Sequence, residues 1–142
     1  METIKVGILG RDQAVIRFER SGDVIDSYSM EVVGCYDFLK KVSELKGALS
    51  KPLSSIDIPQ GTDHSSMLIR ELVLKLQGRW EFPYQDKELC HCRVIETEKV
   101  DQAILGGALQ VASVSRKTSA GTGCGTCRKD ISNIISYRKS IA

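Results

Sequence analysis

Apolar and polar residues alternate along Ile4-Lys5-Val6-Gly7-Ile8, a second apolar run follows at Val15-Ile16-Arg17-Phe18, and a third starts at Val24-Ile25 and continues through Met30, Val32 and Val33. A period of two places successive side chains on opposite faces of a strand. Turn-forming residues, Gly10-Arg11-Asp12 and Ser21-Gly22-Asp23, separate the runs, so the pattern predicts a three-stranded antiparallel meander. From Cys35 the period lengthens: Phe38, Leu39, Val42, Leu45 and Leu49 recur three or four residues apart, with Gly47 as the expected stop. Pro52 and Pro59 mark a loop, and a second helix is predicted from about Ser65 to Gln77. It turns Met67, Leu68, Leu72, Val73 and Leu76 inward and closes at Gly78. Strands followed by helices predict an α+β fold in which one sheet face lies under the helices.

The pattern breaks around Trp80-Glu81-Phe82-Pro83-Tyr84. We expect a first domain over residues 1–80, a linker over 81–88 and a small, mainly helical domain over 89–142. Trp80, Phe82 and Tyr84 are expected to form an interdomain packing patch. In the second domain Thr97 is placed as the cap of a helix carrying Val100, Ala103 and Ile104. A short helix holds Val111 and Val114, and a last one carries Ile131, Ile134 and Ile135. About 55 residues seldom supply a sufficient core without a metal or another staple, so a cofactor is expected here.

Charge narrows the classes of function. Among 142 residues, 20 Lys and Arg stand against 18 Asp and Glu, a net charge of +2 with no run of one sign. That balance argues against electrostatic binding of nucleic acid. The first residues lack the basic head and apolar stretch of a secretory signal, and no apolar run approaches the roughly 18 residues of a membrane span. A soluble cytoplasmic protein is expected. No nucleophile triad, phosphate loop or dinucleotide fingerprint argues for an enzyme.

The chemistry concentrates in the cysteines. Cys90-His91-Cys92 and Cys124-Gly125-Thr126-Cys127 are two short chelating hooks separated by 31 residues. Each can bring two thiolates to one centre. Glycines around the second hook let the backbone wrap closely and aim N–H groups at sulfur. Cys127 falls near the start of the last helix, whose positive end favours a thiolate. An iron–sulfur cluster, a structural zinc site and a pair of disulfides all remain open on these residues alone, although a reducing compartment disfavours the last.

The stretch Cys90-x-Cys92, Val100, Ala103-Ile104, Val111, Val114, Thr118, Ala120-Gly121-x-Gly123-Cys124-Gly125-x-Cys127 and Ile131 resembles the [2Fe–2S] domain of NifU and of bacterioferritin-associated ferredoxin. The resemblance implies a [2Fe–2S] cofactor whose irons are bound by Cys90, Cys92, Cys124 and Cys127. With four thiolates and two sulfides the oxidised cluster carries a charge of −2, and Arg93, Arg116, Lys117, Arg128 and Lys129 flank the ligands in sequence. His91 would tune or shield the cluster.

The first half is similar to the IscU scaffold domain that opens NifU. Gly22-Asp23-Val24-Ile25, Val33-Gly34-Cys35, Ser43-Glu44-Leu45-Lys46-Gly47-Ala48-Leu49, Ile58-Pro59 and His64-Ser65-Ser66-Met67-Leu68 carry that likeness. The resemblance implies a scaffold site, of which Asp12, Cys35 and His64 would be the remnant. Gly10 stands at the first cysteine position and Ser65 at the third, leaving one thiolate of three. Ile58-Pro59-Gln60-Gly61-Thr62 lacks the lysine of the family's chaperone-recognition stretch. Taken together, the two resemblances imply a NifU-like accessory of iron–sulfur cluster assembly. Its partners would be the assembly machinery, a cysteine desulfurase or acceptor apoproteins. The alternative is an electron carrier with a redox partner. Nucleic acid and membrane are not expected partners, and a homodimer is allowed.

Overall fold

In a computed structural model of the chain, residues 1–84, 87–90, 95–118 and 128–139 are described, Cys90 by its backbone alone. The fold is α+β. Strands β1 (Glu2–Gly7), β2 (Gln13–Ser21) and β3 (Val24–Val33) form an antiparallel sheet in the order β1-β2-β3. Gly7 pairs with Gln13, and Gln13 in turn with Val33. The β1–β2 loop and the end of β3 therefore lie at one end of the sheet. Along β2 the predicted alternation holds: Ala14, Ile16 and Phe18 are buried, whereas Arg17 and Glu19 are exposed. β3 is an edge strand and buries little besides Ile25.

Helix α1 (Tyr36–Ala48) buries Phe38, Val42 and Leu45. Leu39, expected on the same apolar face, is 41% exposed. Gly47 does not stop the helix, which ends one residue later with Leu49 N–H donating to Lys46 O. After a single 3₁₀ turn, Leu53–Ser55, comes α2 (His64–Leu76). It buries Met67, Leu68, Leu72, Val73 and Leu76 as predicted, and Ser65, Ser66, Arg70 and Glu71 besides. The polar face of this helix is therefore internal too, where each group needs partners. Arg70 Nε donates to Pro59 O at 2.9 Å, and Glu71 accepts from Lys75 Nζ at 2.6 Å. Gly78, at φ 70°, follows the helix in the left-handed region that ends so many helices.

The chain divides into two compact units: Met1–Gln60 with Ser65–Trp80, and Gly61–His64 with Glu81–Ala142. Trp80 lies under Lys75 Nζ, 5.7 Å from its ring centroid, within the first unit. Phe82 and Tyr84 pack against the apolar cluster of the second.

That second unit contains a two-stranded hairpin that the hydrophobic pattern did not predict, β4 (Glu88–Cys90) with β5 (Ile95–Glu96). Three helices follow: α3 (Thr97–Leu105), α4 (Val111–Thr118) and α5 (Arg128–Lys139). Thr97 is the first helical residue of α3 and Glu96 precedes it as the cap, without a side-chain capping bond. Leu89, Ile95, Val100, Ile104, Ala108, Val114, Ile131, Ile134 and Ile135 form the core. At its edge Arg138, 3% exposed, holds Asp101 with both carboxylate oxygens, at 2.8 and 2.6 Å. Among the described residues no helix is long and apolar enough to cross a membrane.

The buried ion pair gives the first prediction. Asp101→Asn removes the charge that two Arg138 nitrogens hold and should lower stability by about 3 kcal/mol, the lower end for breaking a buried pair. Urea denaturation followed by circular dichroism measures it. A loss below about 0.5 kcal/mol would mean that solvent already screens the pair.

Candidate functional site

Two places hold the residues selected from sequence. In the second unit Cys90 is the last residue of β4 and pairs with Ile95 of β5. Cys92, Cys124 and Cys127, like His91 and Arg93, lie outside the described residues. Their flanks are described. Thr118 ends α4, buried, with its hydroxyl donating to Val114 O at 2.8 Å. Arg128, next in sequence to Cys127, opens α5. Arg116, Lys117, Arg128 and Lys129 are all exposed. The second hook is thus bracketed in sequence by the end of one core helix and the start of another, with four positive side chains beside it. Free amides at a helix start stabilise anionic ligands. Four cysteine thiolates together with this positive flank suit the electronic needs of a [2Fe–2S] cluster.

The first unit contains a site whose geometry is visible. Asp12 ends the β1–β2 loop, which Ile8 N–H closes by donating to Asp12 O at 2.7 Å. Asp12 stands in the turn its setting in the sequence suggested and is 2% exposed. Its Oδ1 accepts the Cys35 backbone N–H at 2.7 Å. Cys35 is the cap residue of α1, with an exposed thiol, and its amide would otherwise point out of the helix start. The carboxylate therefore satisfies a helix-end donor from a different element.

Gly34 makes that reach feasible. A Cβ built at Gly34 would stand 2.4 Å from Asp12 Oδ1 and 2.7 Å from Phe38 Cδ2. The sequence showed the Gly34-Cys35 dipeptide but gave no sign that its glycine was a spacing requirement. His64 opens α2 and falls in the second unit, apart from Asp12 and Cys35 of the first. Ser65 Oγ lies 3.9 Å from Cys35 Sγ and is buried. Asp12 and Cys35, chosen from widely spaced positions in the sequence, are thus joined by a hydrogen bond, with Ser65 beside the sulfur.

Comparison with known proteins bears on the second unit. Residues 89–136 match the BFD-like [2Fe–2S] binding domain. All four paired cysteines fall inside the matched stretch. The large subunit of the NAD(P)H nitrite reductase of Klebsiella oxytoca is 31% identical over 51 residues, which cover 36% of this chain. The chain spans only 5% of that relative's length. No solved structure matches the chain. The cofactor implied by the cysteine pattern, a [2Fe–2S] cluster, agrees with the family matched, and the chain is an iron–sulfur protein in that sense. The likeness of the first unit to IscU has no counterpart among these matches.

The close approach at Gly34 is open to direct measurement. Gly34→Ala should destabilise the protein by about 2 kcal/mol, the range for overpacking a filled site, because Asp12 and Phe38 must both move. Gly10→Ala, at φ 74° with open space around it, should cost only about 1 kcal/mol, from backbone conformation alone. Thermal unfolding of the two variants side by side ranks them. Equal losses would remove steric contact as the reason for the glycine at 34.

Proposed function

We propose that the chain is a one-electron redox component in which Cys90, Cys92, Cys124 and Cys127 hold a permanent [2Fe–2S] cluster. The observation that carries this reading is the family match across residues 89–136, which encloses both cysteine hooks. A [2Fe–2S] cluster supplies reversible one-electron transfer, at a potential governed by its ligands, hydrogen bonds and solvent exposure.

The rest of the function falls to the chain's own residues. The apolar core around Val100, Ile104, Val114 and Ile131 fixes the helices that flank the hooks. Exposed Arg116, Lys117, Arg128 and Lys129 offset the negative charge of the bound centre and offer a positive face to a redox partner. On this reading the protein passes electrons to a partner and turns over no substrate of its own. In the nitrite reductase subunit a similar stretch is part of a much longer redox protein, which agrees with a carrier module.

A second reading has its own support. The bond from the Cys35 amide to Asp12, with Ser65 beside the Cys35 sulfur, joins positions of the scaffold site that the likeness to IscU implies, and this favours a NifU-like accessory of iron–sulfur assembly, with the first unit as the part that meets the assembly machinery. The two readings share the cluster and differ in the partner.

Anaerobic purification followed by iron and sulfide analysis should find two of each per chain, with an electron paramagnetic resonance signal appearing only on reduction. Replacing any one of the four cysteines by serine, for example Cys90→Ser, should cut cluster content at least tenfold, and Cys35→Ser should leave it unchanged. Stoichiometric zinc in place of iron would sink the reading.

A further inference from the structure

We infer that two copies of the chain pair along β3, antiparallel about a two-fold axis at Met30, and join their three-stranded sheets into one. β3 (Val24–Val33) runs for 10 residues and lies at an end of the order β1-β2-β3, so one side of its backbone faces away from the sheet. Among the described residues, none bonds a backbone group of Val24–Val33 from outside the sheet. Lysine, proline or a bulge ordinarily blunts such an edge. β3 has neither lysine nor proline, and the irregularity of its pairing, between Glu19 and Arg20 of β2, leaves Tyr28–Val33 regular. The other edge differs. β1 is 6 residues long, and Lys75 Nζ already donates to Lys5 O there at 3.3 Å.

Apolar side chains along the β3 edge are only partly covered. Tyr28, Met30 and Val32 stand opposite Phe18, Ile16 and Ala14 of β2, which are buried, and so share the inner face of the sheet. Tyr28 is nevertheless 41% exposed, and Met30 and Val32 are half-buried. A hollow of about 420 Å³, lined among others by Ile25, Tyr28, Lys46 and Leu49, lies between the margin of β3 and the last turn of α1. The helix therefore does not cap this edge.

The sequence of the strand matches itself. Residues opposed across antiparallel strands share a face, and the best register sets apolar side chains against one another and like charges apart. With Met30 opposite Met30 of the second copy, Tyr28 meets Val32 in both directions, Asp26 meets Gly34, and Glu31 meets Ser29. A shift of two residues one way sets Val32 against Asp26, and the other way sets Glu31 against Glu31. A shift of one sets Met30 against Ser29 or Glu31. A net charge of +2 offers little repulsion between copies. None of this depends on how the cysteines of the second unit are used.

Sedimentation velocity of the full chain, purified anaerobically, should show its mass doubling between about 2 and about 500 µM, the range for a contact at the small end of interface sizes. Thr3 and Ser29 both stand opposite Arg17, one on each side of it, so the same charge can be added to either edge. Ser29→Glu sets a carboxylate against Glu31 of the second copy at two symmetric places and should weaken the dimer about tenfold. Thr3→Glu should leave it unchanged. In a Cys35→Ser background, Met30→Cys should give a covalent dimer with oxidised glutathione, because residues facing each other across antiparallel strands stand about 4.5–5.5 Å apart, within disulfide reach. Thr3→Cys should not. Ser29 is exposed, so Ser29→Glu keeps the fold and decides the matter if Met30→Cys does not fold. A monomer throughout the range overturns the proposal, as does a dimer that Thr3→Glu weakens as much as Ser29→Glu, or one that folded Met30→Cys fails to cross-link.

Discussion

A hydrogen bond between two distant segments organises the first unit. The carboxylate of Asp12, at the end of the β1–β2 loop, receives the amide of Cys35 at the start of α1, and the contact exists because Gly34 has no side chain to stand in the way. Buried carboxylates are costly unless their oxygens are occupied, and helix starts are costly when their amides are buried without acceptors. The bond satisfies the Cys35 amide and one of the two Asp12 oxygens. It also ties the start of α1 to the β1–β2 loop, so any change that widens this junction acts on both.

The second unit rests on a different economy. Its helices α3, α4 and α5 are short. Small cores of this kind depend on additional constraints. Two are present in the chain: the Arg138–Asp101 pair, with its guanidinium almost wholly buried, and the four cysteines that the family match associates with a cluster. The Phe82 ring adds a third contact, edge-on to Tyr137 and 5.9 Å from the Arg138 guanidinium carbon. The protein therefore combines a unit stabilised mainly by apolar packing with one in which polar and metal-directed bonds carry a larger share.

The second unit provides the chemistry of one-electron transfer on the proposed reading, because sulfur ligands and flanking positive charge are what such a centre uses. In the first unit Cys35 caps α1, where the amide groups and the end of the dipole favour negative charge, and in sequence Cys127 stands immediately before α5.

Sequence periodicity sufficed for the three-stranded meander and for the helices, because a strand with one buried face and a helix with one apolar stripe impose repeats of two and of about 3.6 residues. It missed β4 and β5, whose two or three residues are too short to show a repeat. It placed Leu39 inside and left the polar face of α2 outside, since periodicity records one stripe and not how many neighbours cover a helix. The four paired cysteines could be singled out because chelation by near neighbours in the chain is a local property, and the family match encloses all four. The contact between Asp12 and Cys35 could not: spacing along the chain carries no distance, and a resemblance alone pointed to these residues. Only the tertiary structure decided that Asp12 is buried, that Gly34 is a spacer and that the Cys35 amide meets the Asp12 carboxylate, because each depends on contacts between segments that the chain keeps far apart.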